Sequence, residues 1–91
     1  MTKTKLLIGS LSNDLYRVAT LSHRGSLVAA TRFFAEAQRW SAELADHKLK
    51  PYIEKIVTEV KNTQEGDFSP AQAEQFLMYS VLLQNYSLHI E

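Results

Sequence analysis

The chain has 91 residues, ten Lys or Arg against ten Asp or Glu, no cysteine, and 45% hydrophobic residues. A single domain of this length buries only roughly two-thirds of the surface its unfolded chain exposes, and without thiols neither disulfides nor thiolate metal sites can reinforce so small a core. Zero net charge disfavours nonspecific nucleic-acid binding by the whole domain. The charge is nevertheless uneven: residues 1–39 carry six cations against two acids and residues 40–91 four against eight, so the halves stand at +4 and −4. That asymmetry favours contact between them, within a subunit or between two.

Three glycines and two prolines leave helix as the default nearly everywhere. The opening Met1-Thr2-Lys3-Thr4-Lys5 is basic like the first region of a secretion signal, but only Leu6, Leu7 and Ile8 follow before Gly9, too short for an apolar signal core. A cytoplasmic protein is expected. Leu7, Ile8, Leu11, Leu15, Val18 and Ser22 recur at three- and four-residue steps and predict a helix from about Lys5, or from a cap at Ser10 or Ser12, to about Arg24. Leu27, Ala30, Phe33, Phe34, Ala37, Trp40, Ser41 and Leu44 repeat the pattern, with a stripe rotated by roughly 90° from the first. Between them, His23-Arg24-Gly25-Ser26 admits either a break with Gly25 as a left-handed cap or one long helix with a migrating core face. Gly inside a helix costs only about 1 kcal/mol relative to Ala, and the strongly helical flanks favour continuity or a mere kink.

Lys50 before Pro51 is pushed out of helical dihedrals, and Pro51 suits the first turn of a short third helix that buries Ile53, Ile56, Val57 and Val60 and ends near Asn62. A polar loop with Gly66 and Asp67 follows. Ser69-Pro70-Ala71-Gln72 then reads as a capping box, in which Ser69 accepts from the amide of Gln72 and opens a fourth helix running to about Leu88. Residues 75–90 contain no Asp, Glu, Lys or Arg. Measured from Phe76, Leu77, Val81 and Leu88 fall near roughly 100 to 140°, Met78 and Leu82 near 200 to 240°, and Tyr79 and Tyr86 near 280 to 300°. A helix apolar all round is either a central strut or half of a subunit interface. Ser80, Gln84, Asn85 and Ser87 interrupt it, and it falls short of the roughly 20 apolar residues that span a bilayer. A β-hairpin over 79–90 is disfavoured, because Gln84-Asn85 is a poor two-residue turn.

The expected fold is all-α: an antiparallel bundle of three to four helices in one domain, completed by oligomerisation, with a dimer as the leading form. Tyrosine suits interfaces because its ring is apolar and its hydroxyl can reach water or a partner. Tyr79 and Tyr86, with Met78 and Leu82, are therefore the candidate interface. Arg17, Arg24, Arg32 and Arg39, spaced seven, eight and seven apart, would form a row on one continuous helix suited to carboxylates or phosphates. They are the candidate contact to an acidic partner, although Glu36 and Glu43 stand one turn away and can neutralise part of the row.

Chemistry is less well signalled. His47 has Glu43 one turn earlier, but a metal site needs a third ligand. Arg24 and Gly25 follow His23 directly, the wrong register for a phosphotransfer histidine. No cofactor or metal is expected. Ser80-Val81-Leu82-Leu83-Gln84 resembles the Ser and Gln one turn apart on the last helix of the small all-α chorismate mutases. The resemblance implies that Arg17 and Glu54 stand for the arginine of the first helix and the acid of the short second one. That family also holds its dicarboxylate with cations late in a long first helix, where this chain presents Phe33, Phe34 and Trp40. The leading expectation is a noncatalytic interaction or regulatory protein acting as a homo-oligomer, with a mutase-like enzyme and an arginine-row binder of acidic protein or nucleic acid as alternatives.

Overall fold

The computed structural model describes residues 3–63 and 68–90, and among these it holds four helices and no strand: α1 (Lys3–His23), α2 (Leu27–Leu44), α3 (Pro51–Asn62) and α4 (Pro70–His89). The expected polar loop with Gly66 and Asp67 falls largely outside the described residues.

The reading of one continuous first helix is overturned at Gly25, which adopts φ +82°. The Gly25 amide donates to the Ser22 carbonyl at 3.0 Å and the Ser26 amide to the Leu21 carbonyl at 2.8 Å. These two bonds form a Schellman cap, which satisfies carbonyls that a helix end would otherwise leave open. The chain then turns back, and the two apolar stripes, about a quarter turn apart on the wheel, both reach the interior, except that Leu27, expected to head the second stripe, is left 51% exposed beside the turn. Arg17 lies over the Phe33 ring at 5.2 Å, and Trp40 Nε1 donates to Asp14 Oδ2 at 2.8 Å, joining α1 to α2 along their length.

The other boundaries follow local chemistry. Lys50 is extended ahead of Pro51, which begins α3. Ser69 Oγ accepts from the Gln72 amide at 3.2 Å, and Gln72 Oε1 accepts from the Phe68 amide at 3.1 Å. Gln38 Nε2 donates to the carbonyls of Val60 and Thr63, pinning the end of α3 beside the middle of α2. Thr4 Oγ1 and His47 Nδ1, 2.6 Å apart, tie the start of α1 to the loop after α2.

Successive helices run up, down, up and down, with α1 packed between α2 and α4 and with α3 against α2 and α4. Residues at seven-residue spacing make the seams. Ser12 and Ala19 of α1 meet Ala73, Ser80 and Ser87 of α4, all buried, and the Ser12 hydroxyl donates to the Ser80 carbonyl at 2.7 Å. Small side chains let those two backbones approach closely. The diagonal from α2 to α4 is filled by aromatic rings: Phe34 stacks on Phe76 at 5.5 Å and meets the edge of Phe68 at 5.8 Å. Phe68 holds the left-handed φ of 47°, a conformation costing about 1–3 kcal/mol outside glycine and offset here by that ring contact. One buried group stays unmatched: Ser41 Oγ has no hydrogen-bond partner among the described residues. The radius of gyration is 12.2 Å, the roughly 12 Å of a close-packed chain of this length.

Candidate functional site

α4 is apolar on every side by composition, yet the subunit covers only one of them. Phe76, Tyr79, Leu83 and Tyr86 are buried with the small residues of the α1 seam. On the opposite face Leu77 is 42% exposed, Met78 54%, Val81 53% and Leu88 63%, with Leu82 partly buried. Leu77, Val81 and Leu88 lie four and seven residues apart and so form one line along the helix.

The candidate interface divides on this axis. Tyr79 and Tyr86, expected at an oligomer contact, are each 8% exposed and are covered within the subunit by α3. The Tyr79 hydroxyl donates to Glu59 Oε2 and accepts from Gln75 Nε2 at 2.9 Å. Burial, followed by the bond to the Glu59 carboxylate and its charge, pushes the Tyr79 phenol up to about 12. The Tyr86 ring meets the edge of Tyr52 at 6.3 Å. The Tyr79 hydroxyl and the Tyr86 ring thus serve the join between α3 and α4. Met78 remains on the outer face, and Leu82 sits at its border. Leu77, Val81 and Leu88, which the preference of Tyr for interfaces does not single out, are the large apolar residues exposed on this face beside Met78. The signal that could have found them is the series Ala73, Ser80, Ser87, which marks the side of α4 that another helix approaches and leaves the large side chains pointing away.

The arginine row does not survive the break at Gly25. Arg17 is engaged with Phe33, while Arg39 lies over Trp40 at 4.7 Å and pairs with Glu36 at 2.6 Å. Arg24 is in the Gly25 turn, where it lines a shallow concavity with Arg17, Tyr16 and Phe33. Arg32 lines a separate one with Gly25 and Val28. The row is thus reduced to the pair Arg17 and Arg24.

The positions implied by the mutase resemblance do not converge. Arg17 borders the seam between α1 and α2, Glu54 lines a concavity with Leu44 and His47, and Gln84 lies beside Ser12 on the α1–α4 side. The long first helix that the resemblance implies is here a hairpin. Among the described residues Asp14 is the carboxyl whose ionisation the fold disturbs: burial raises it above 3.8, while the Trp40 hydrogen bond, Arg17 and Arg39 pull the other way. No group of three or more His, Asp or Glu among the described residues is placed to hold a metal ion, and no described helix is long and apolar enough to cross a membrane. In comparisons with known proteins, the chain matches no family model, no curated protein and no solved structure.

Proposed function

We propose that this protein is a noncatalytic interaction module that works as a homodimer, paired through the outer face of α4. The carrying observation is the line of Leu77, Val81 and Leu88, flanked by Met78, lying bare on a segment with no formal charge from residue 75 to 90. Such a face offers no charge pattern for selecting a differently charged partner. Between Leu77 and Leu88 it also presents no like charges to a second copy of itself, as a self-complementary two-fold contact requires.

Area bears on the strength of the pair. The four side chains expose on the order of 350 Å² per copy, against the about 800 Å² that each partner buries in a stable interface. Polar neighbours on the same face, Glu74, Gln84 and Asn85, would supply the rest as a rim around an apolar centre. Leu27 and Val28, also exposed, sit together at the hairpin turn and form no such line.

Sedimentation velocity over micromolar to millimolar concentrations tests the reading. Wild type is expected to sediment as a dimer and Val81→Glu as a folded monomer, since a pair of carboxylates at the contact centre would be desolvated side by side. A wild-type chain that stays monomeric across that range rules out self-association and turns the face over to a different partner.

A further inference from the structure

The outer face of α4 carries a knob at one end and a hole at the other. At its N-terminal end, beneath the top of α1, an apolar groove of about 360 Å³ is lined by Ala19, His23, Ala73, Glu74 and Leu77 among others. The groove exists because Ala19 and Ala73 are too small to fill the space between the two helices. At the C-terminal end Leu88 projects, 63% exposed. Leu77 and Leu88 are eleven residues apart, which on a helix is three turns and about 20°, so knob and hole lie on one line.

Resting on the dimer proposed above, we infer its register: the two α4 helices pair antiparallel about a two-fold axis at Val81, and Leu88 of each copy seats in the other's groove beside Ala73 and Leu77. Val81 is halfway between Glu74, at the centre of the groove's α4 lining, and Leu88. Seven residues on either side amount to about 10 Å along the axis, so a rotation at Val81 brings each knob level with a hole. Charge selects the same orientation. Glu74 is the only formally charged residue within α4, and His89 stands at its other end. A parallel pair would set Glu74 against Glu74 and align the helix dipoles. The antiparallel pair sets Glu74 opposite the second copy's His89, whose Nδ1 is engaged with the Asn85 carbonyl at 2.7 Å, so that in the imidazolium form its Nε2–H is the donor that faces the carboxylate.

The chain has no cysteine, so introduced thiols report position without background. Val81→Cys, on the axis, is expected to form a disulfide-linked dimer under mild oxidation. Leu88→Cys alone and Glu74→Cys alone are expected to give none, because like positions would stand about 20 Å apart across the axis. The double variant Glu74→Cys/Leu88→Cys is expected to cross-link. If wild type sediments as a dimer but Leu88→Cys links to itself, or Val81→Cys does not link, the register is wrong while self-association stands. A monomeric wild type removes both, and circular dichroism of each variant separates misfolding from misplacement.

Discussion

Trp40 and Asp14 show how a single residue's setting becomes measurable. The Asp14 carboxylate accepts the indole N–H at 2.8 Å, yet its ionisation is shifted upward, because lost hydration outweighs that bond and the attraction of Arg17 and Arg39, with Glu36 adding repulsion. A carboxyl whose folded value is raised contributes most to stability below the ordinary value of 3.8, and that contribution is lost as pH rises through the folded value. Ionised Asp14 is therefore a small burden on the fold at neutral pH. Trp40 is the only tryptophan, so its emission should titrate with a midpoint above 3.8, and Asp14→Asn should abolish the step. A midpoint at or below 3.8 would contradict the burial argument.

At the scale of elements, two glycines in the first half of the chain predict opposite outcomes. Gly25 sits at φ +82°, where a Cβ is opposed by the following carbonyl, and Gly25→Ala is expected to lower stability by about 1–2 kcal/mol. Gly9 lies inside α1, where an added Cβ meets nothing within 4 Å, so Gly9→Ala is expected to raise stability by about 0.5–1 kcal/mol. Urea unfolding midpoints of the two variants check both signs together. A neutral Gly25→Ala would mean that the left-handed cap is not what separates α1 from α2. The same contrast explains why this boundary was hard to read. Local cost was weighed as that of a glycine within a helix, about 1 kcal/mol, whereas the deciding gain, two rotated stripes folded onto one interior, is tertiary.

For the whole molecule, pairing through α4, as proposed, would make stability depend on concentration. A chain of this size leaves part of α4 uncovered, and mass action stabilises whatever form buries it. The wild-type melting temperature should rise with protein concentration, while that of Val81→Glu should stay flat and meet the wild-type value on dilution. Equal, flat curves for both would show that a lone subunit accounts for all the stability there is. Charge asymmetry between the helices is slight: α1 and α2 together carry five cations against three acids, and α3 and α4 two against three. Arg39 pairs with Glu36 inside α2 itself.

Legible in the residues alone is whatever covalent geometry and short-range bonding dictate: helix throughout, the start of α3 at Pro51, the Ser69 cap of α4, and, Leu27 apart, the inward stripes of α1, α2 and α3. Those features depend on residues a few positions apart, whose energies are the same in any fold. Packing between distant segments set the turn at Gly25, the scattering of Arg17, Arg24, Arg32 and Arg39, and the side of α4 that faces inward. On α4, tyrosines and leucines are equally apolar to a reader of periodicity. The choice between them rests on neighbours distant in sequence, Ser12 and Ala19 drawing one side against α1 and Glu59 and Tyr52 receiving the tyrosines from α3, and it leaves Leu77, Val81 and Leu88 on the outside.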